Sequence, residues 1–227
     1  VICCGCNIFT YNKPYSIRYR MRKIVENLNA SLVFVNRIGG EGSFLYAGGS
    51  MALNAAGNVL CQFPYFEQYS ETVDMQLLTV IDNDEKPDAA ELVHKGLVMG
   101  IADYFRKNGF QRAVVGLSGG IDSAVVATLA VEALGSDNVH GILLPSKYST
   151  DHSLQDAIDL ANNLGIKYDI VPIKPVFDAM RDSMKPLFGD RAEDVTEENM
   201  QSRIRGTLIM AYANKMGAIM LNTSNKS

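Results

Sequence analysis

The chain has 227 residues, room for one large domain or two ordinary ones, and 47% of them are hydrophobic against 20% charged, the balance of a globular protein with a sizeable core. Its formal net charge of −4 offers no general attraction to nucleic acid or anionic membranes. No uninterrupted run of about 18 apolar residues is present, so no membrane-spanning helix is expected, and the opening Val1-Ile2-Cys3-Cys4-Gly5-Cys6 has neither the basic leader nor the apolar core of a signal peptide.

The first eighty residues alternate strand and turn signals around one helix. Val1–Ile8 is a short apolar strand, and its Cys3 and Cys6 have C-x-x-C spacing without a second ligand pair to complete a zinc site. They are therefore read as buried strand cysteines of a reducing compartment, and the composition as cytoplasmic. Ser16–Asn29 carries Ile17, Met21, Ile24, Val25 and Leu28 at helical spacing, which predicts an amphipathic helix. Ser31–Val35 is a β-rich run ended by Asn36 and a turn at Gly39-Gly40. Phe44–Leu53 and Val59–Pro64 read as strands around Gly48-Gly49 and the hairpin signal Asn54-Ala55-Ala56-Gly57-Asn58. Thr72–Ile81 is a further candidate strand.

The polar segment Ile81–Asp88, with Pro87, is the best linker candidate, dividing the chain into 1–82, a linker at 83–88, and 89–227. Beyond it, helix and strand alternate. Ala89–Asn108 is a helix stopped by Gly109, Ala113–Leu117 a strand, Ser123–Leu134 a helix and Val139–Leu144 a strand. Ser153–Leu164 is a helix, Tyr168–Ile173 a strand, Glu197–Met216 a helix and Ala218–Asn222 a strand, with no element assigned over 174–196. Strands at helix-separated intervals predict βαβ units, and hence an α/β fold with a parallel, doubly wound sheet.

Within the run from Ala113 to Val126, an apolar strand passes through Ser118-Gly119-Gly120-Ile121-Asp122-Ser123 into a helix. Glycines let backbone N–H groups approach phosphate oxygens, the helix N-terminus adds the positive end of its dipole, and Ser118 and Ser123 are expected to donate their hydroxyls. The loop lacks the Lys of a Walker loop and does not follow the dinucleotide fingerprint. The bland alternative is an ordinary strand–turn–helix connection in which Asp122 is a first-turn acid favoured by the dipole.

The pattern resembles the pyrophosphate loop of the N-type ATP pyrophosphatases, which cleave ATP between the α and β phosphates. That resemblance implies ATP contacts at Gly116, Leu117, Ser118, Gly119, Gly120, Ile121, Asp122 and Ser123, with Asp122 helping to hold Mg²⁺. Three later stretches narrow it: Leu144-Pro145-Ser146-Lys147-Tyr148-Ser149-Thr150-Asp151-His152-Ser153 followed by Asp156; Thr196-Glu197-Glu198-Asn199-Met200-Gln201-Ser202-Arg203-Ile204-Arg205-Gly206; and Asn222-Thr223-Ser224-Asn225-Lys226-Ser227. In this order they resemble the synthetase domain of the NAD synthetases, an adenine nucleotide α-hydrolase-like fold. The resemblance implies amidation of deamido-NAD with ATP, Thr223 and Lys226 as further ATP contacts, and Asn199 and Arg203 as contacts to deamido-NAD.

Each of these has a structural alternative. Thr196 can cap its helix, with Glu197 and Glu198 complementing the dipole, and Ser153 with Asp156 reads as a capping box. Arg203 and Arg205 could pair with phosphates or with the substrate carboxylate, but two apart on a helix they cannot share one face, so at most one points straight into the pocket.

Residues 1–82 resemble the end of a nitrilase-like glutamine amidase domain, through Asn7–Lys13, Val33–Asn36, Gly39-Gly40-Glu41 and Phe44–Ser50. This implies glutamine as the ammonia source, held by Asn7 and Lys13, for which surface solvation is the rival explanation. In that family the amidase Cys, Glu and Lys precede the point where this chain starts, and an acidic residue follows Ser227. Both ends are accordingly read as cut, and the 227-residue piece alone is expected to release no glutamate from glutamine. The partners expected are deamido-NAD and glutamine or ammonia, with no nucleic acid and no membrane, in a homo-oligomer. Two other readings remain open: a tRNA-modifying adenylating enzyme built on the same loop, and an inactive fragment of the synthetase.

Overall fold

The computed structural model describes residues 1–76, 79–81, 88–146 and 151–223. Contacts divide the chain into two units, Val1–Tyr104 and Phe105–Ser227.

The first unit is built on a four-stranded sheet of β1 (Ile2–Gly5), β2 (Leu32–Asn36), β5 (Met51–Leu53) and β6 (Val59–Gln62), in that spatial order. β1 runs parallel to β2, and the other neighbours are antiparallel. A parallel pair needs a crossover, supplied by α1 (Lys13–Leu28). This helix starts three residues before the predicted Ser16, because Pro14 is tolerated in the first turn, and ends at Asn29 in the left-handed conformation (φ 47°). Its Ile17, Met21 and Val25 pack on Leu32, Phe34, Met51, Leu53 and Val59, while Leu28, the last position of the predicted stripe, is exposed.

The expected turn at Gly39-Gly40 is not there. Both glycines lie in β3 (Ile38–Glu41), which pairs with β4 (Phe44–Ala47), and the chain reverses one step later through Gly42 at φ 58°. Two consecutive glycines signal a turn, but either can extend when a partner strand supplies the ladder. The Asn54–Asn58 hairpin is as predicted: the Asn54 side chain accepts the Ala56 and Asn58 N–H groups at 3.0 and 2.9 Å. The described part of 72–81 holds no strand; Ile81 alone donates to the Val59 carbonyl, at 2.8 Å. Cys4 and Cys6 are exposed on β1 and just after it, rather than buried as their residue type suggests, and all four cysteines are free.

The helix α2 (Ala89–Asn108) contributes its first four turns to this unit. Gly96 and Gly100, one turn apart, lie against Phe66 and Leu45, so closely that a Cβ would come within 3.2 and 3.0 Å of them. Asp103 accepts the Gly40 N–H at 2.8 Å. The predicted linker at 83–88 lies, apart from Asp88, outside the described residues.

The second unit holds β7 (Ala113–Leu117), β8 (Val139–Leu143), β9 (Lys167–Ile170) and β10 (Ile219–Leu221), all parallel, in the order β10-β7-β8-β9. The helices α3 (Ile121–Leu134) and α4 (Asp151–Leu164) connect the first three strands and pack against them and each other. The chain then returns through α5 (Lys174–Phe188) and α6 (Val195–Met216) to lay β10 on the other side of β7. Strand residues alternate between faces: Val114, Ile142 and Leu144 share a core with Phe177 of α5 and with Met200, Ile204 and Ala213 of α6. The sheet is thus covered on both faces, the doubly wound arrangement.

The sequence reading assigns nothing over α5, whose two prolines mask it: Pro175 sits in the first turn, where no N–H bond is lost, and Pro186 in the last. Nor is Thr196 the cap of α6. Asp194 is, accepting the Thr196 N–H at 2.7 Å while the Glu197 side chain accepts the Asp194 N–H at 2.7 Å, a complete capping box. Ser153 does not cap α4, which already begins at Asp151.

Candidate nucleotide-binding site

The turn after β7 is held by its own serines. The buried Ser123 hydroxyl donates to the Gly120 carbonyl at 2.9 Å and accepts the Ser118 N–H at 3.3 Å. The two hydroxyls lie 3.2 Å apart, and the Gly120 N–H donates to Ser118 Oγ at 3.2 Å. The Ser123 proton is therefore used inside the loop, contrary to the expectation that it is donated outward, whereas the exposed Ser118 hydroxyl lies at the edge of the cleft.

What the loop turns outward is backbone. Gly120 is the N-cap of α3 in an extended conformation, so the first N–H groups of the helix have no intrahelical partner and, with the dipole behind them, present the kind of donor set that suits an anion. Gly119 has φ 76°, and a Cβ there would lie 2.2 Å from the Ser153 carbonyl oxygen. Only glycine lets this turn sit against the start of α4.

The strand order reverses between β10 and β7, and the carboxyl ends beside such a switch point are where open α/β sheets bind ligands. A cleft of about 400 Å³ lies there. Gly116, Leu117 and Ser118 line it from β7, Leu143, Leu144 and Pro145 from β8, and Leu221, Asn222 and Thr223 from β10. Ser153 and Ala157 of α4, and Ser202, Arg205, Gly206 and Ile209 of α6, complete the wall. A Cβ at Gly116 would come within 2.7 Å of Ile209, so the glycine sets how closely α6 approaches β7.

Of the sequence-predicted ATP contacts, Gly116, Leu117, Ser118 and Thr223 line the cleft. Gly119, Gly120, Ile121 and Asp122 form the adjoining turn and first helical residues, with Ile121 and Asp122 exposed, while Ser123 is buried beneath them. Lys226 lies outside the described residues. Asn199 and Arg203 occupy a neighbouring, exposed face of α6, where Arg203 donates to the Asn199 carbonyl at 3.1 Å.

The arginine that does line the cleft is Arg205, whose Nε donates to the Leu144 carbonyl at 3.2 Å and whose guanidinium pKa is lowered by burial. The spacing rule already allowed only one of the two arginines a pocket, but which one depends on the azimuth at which α6 meets the sheet. Ser153, part of a family-like stretch with capping as its structural alternative, reaches the cleft, because α4 starts a half-turn before it.

In the first unit, Asn7 and Lys13 line one small pocket with Asn36, Gly48 and Gly49, with room for about a single water (about 10 Å³). Asn36 organises it: its amide oxygen accepts the Asn7 N–H at 3.3 Å, its amide nitrogen donates to the Gly48 carbonyl at 2.8 Å, and its own N–H donates to Ser50 at 3.0 Å. Nothing in the composition of the region marks Asn36 for this part. It follows from β2 ending beside the Gly48-Gly49 turn.

Among the described residues no cluster of three or more His, Cys, Asp or Glu side chains could hold a metal by itself, and no helix is long and apolar enough to cross a membrane. Asp122 offers a single carboxylate beside the anion site, which suits a hard cation carried in by phosphate oxygens.

Residues 93–227 match the family model described as NAD synthase. The chain is 41% identical over 224 residues to a glutamine-dependent NAD(+) synthetase of Synechocystis sp., covering 96% of this chain and 40% of that protein. It is 44% identical over 202 residues to one of Rhodobacter capsulatus, covering 86% and 37%. Among solved structures, a glutamine-dependent NAD+ synthetase of Acinetobacter baumannii in complex with ADP superposes with a TM-score of 0.93 at 31% identity, over 100% of this chain and 44% of that one. The chain thus spans about two-fifths of the length of the curated relatives it matches.

Proposed function

The chain belongs to the NAD synthase family, and from that premise we propose that it serves the ATP-dependent amidation of deamido-NAD to NAD, with release of AMP and pyrophosphate. One observation carries the reading: a glycine turn with free helix-terminal amides opens onto a cleft at the switch point of a parallel sheet. The complex of a relative with ADP supports nucleotide binding as such.

A carboxylate is a poor electrophile and must be activated before ammonia can displace anything from it. Attack of the deamido-NAD carboxylate on the α-phosphorus of ATP forms a mixed anhydride and expels pyrophosphate. Amides at the start of α3 are preorganised to stabilise the charge that gathers on that leaving group. Ammonia then attacks the carbonyl carbon and AMP departs. Gly116–Ser123, Thr223 and Lys226 are the proposed ATP contacts, and Asn199 and Arg203, one helical turn apart, the proposed deamido-NAD contacts. Asp122 would hold Mg²⁺, whose charge would neutralise the phosphates.

Asn7, bonded to Asn36, and Lys13, which lines the same pocket, support a part of the first unit in holding glutamine as ammonia donor, in the manner of a nitrilase-like amidase. Pairing of synthetase domains and a cytoplasmic location belong to the same reading. It is tested by giving the intact protein ATP, Mg²⁺ and deamido-NAD with ammonium or glutamine. NAD and pyrophosphate should appear in equal amounts; pyrophosphate without NAD, or neither product, removes the reading.

A further inference from the structure

Among the described residues, no carboxylate answers the charge of Arg205. It lies half-buried on the α6 wall of the cleft, and its only hydrogen bond among the described residues is the one from Nε to the Leu144 carbonyl, at 3.2 Å. Among the described residues no carboxylate lies within ion-pairing distance. The acids of the adjoining cavity, which Arg205 also borders, are engaged elsewhere: Glu197 accepts the Asp194 N–H at 2.7 Å, Asp194 accepts the Thr196 N–H at 2.7 Å, and Glu193 pairs with Arg181 at 3.5 Å. Glu198 faces that cavity and does not reach Arg205 either. Unlike a lysine, a guanidinium does not escape by losing its proton, so partial burial without a counter-ion is a standing cost that an incoming anion would relieve.

The one hydrogen bond present also does something specific. Anchoring Nε on a carbonyl at the carboxyl end of β8 fixes the plane of the guanidinium and leaves its two Nη groups as a fork, the geometry that matches paired phosphate oxygens. Arg203 differs in both respects, since it is exposed and turned back on the Asn199 carbonyl of its own helix.

We propose that Arg205 is a nucleotide-binding residue of the cleft, its Nη fork taking an oxygen pair of the ATP polyphosphate while its Nε stays on the Leu144 carbonyl. This rests on the reading of the cleft as the ATP site. It adds a cationic determinant, on α6, to the neutral backbone amides of the β7–α3 turn.

Binding of ATP and of adenosine to the intact protein, each without deamido-NAD, tests it with Arg205→Gln and Arg205→Lys. Loss of a charged fork should weaken ATP by about ten- to hundred-fold while adenosine affinity stays unchanged, and Arg205→Lys should recover part of the loss. Equal weakening of ATP and adenosine would overturn the proposal in favour of wall packing. Unchanged ATP binding together with a raised KM for deamido-NAD would overturn it in favour of the substrate carboxylate. Failure of the unsubstituted protein to bind ATP would overturn the reading of the cleft as well, whereas ATP binding that Arg205→Gln leaves intact overturns the role of Arg205 alone.

Discussion

At Gly119 two independent constraints fall on one residue. Its φ of 76° is strained for any L side chain, and the place its Cβ would occupy is filled by the Ser153 carbonyl oxygen, 2.2 Å away. Backbone cannot yield as a flexible side-chain tip can. Gly119→Ala should therefore destabilise the second unit by about 2–5 kcal/mol, from the left-handed conformation and the overpacking together. It should also cost most of the ATP affinity, because the turn can relieve the clash only by moving the amides. Urea unfolding and a nucleotide titration check the two effects, and an alanine variant with wild-type stability would refute the packing argument. The glycine's need for space was not legible in the sequence: the pattern names the residue, but Ser153 lies 34 positions away and comes close only when α4 folds back along the sheet.

Among the elements, α6 is the one whose ends and faces matter most. Its N-terminus is closed by Asp194 and Glu197, and hydrogen bonds from Thr196, its hydroxyl foremost and then its N–H, hold the Asp194 carboxyl below the usual carboxylate range. A depressed folded-state pKa means that this contribution is fully present above the unfolded-state value of about 4, and is lost as pH falls through the folded value. Asp194→Asn should thus lower the urea midpoint near neutral pH, and the difference from wild type should close as the solution is acidified below pH 4. A difference independent of pH would mean that the charge plays no part in the cap. Residue types alone favour Thr196, two residues late, because Thr196 followed by Glu197 and Glu198 is an equally plausible helix start. Only the backbone conformation of Asp194 (φ −143°, ψ −156°) decides between them.

On the scale of the molecule, the elements around the proposed nucleotide cleft all belong to one of the two units. ATP at about 100 times its dissociation constant should stabilise that unit by about 2.7 kcal/mol. The added hydrogen-exchange protection should fall on amides of Phe105–Ser227, most of all at the start of α3 and the carboxyl ends of β7, β8 and β10. Protection confined to Val1–Tyr104 would refute the assignment of the cleft. This division is sharper than composition suggested, and it differs in place. The acidic, proline-containing segment near residue 85 marks where the chain changes character, yet most of α2 beyond it groups with the first unit, drawn there by Gly96, Gly100 and Asp103.

The sequence alone determined what is local or periodic. The parallel α/β alternation, the Ala113–Leu117 strand, the phosphate-loop pattern and the order of the family motifs each follow from residue types within a few positions of one another. Tertiary structure decided everything that depends on which face of an element meets which neighbour. It turned Arg205 rather than Arg203 into the cleft, spent the proton of Ser123 inside the loop, set Asn36 beside Asn7 in the pocket that Lys13 also lines, and kept Gly39-Gly40 extended in a ladder. The physical reason is common to all four. A side chain's azimuth, and the partner available to its polar atoms, are set by segments distant in the chain, and those contacts exist only once the sheet has closed its register.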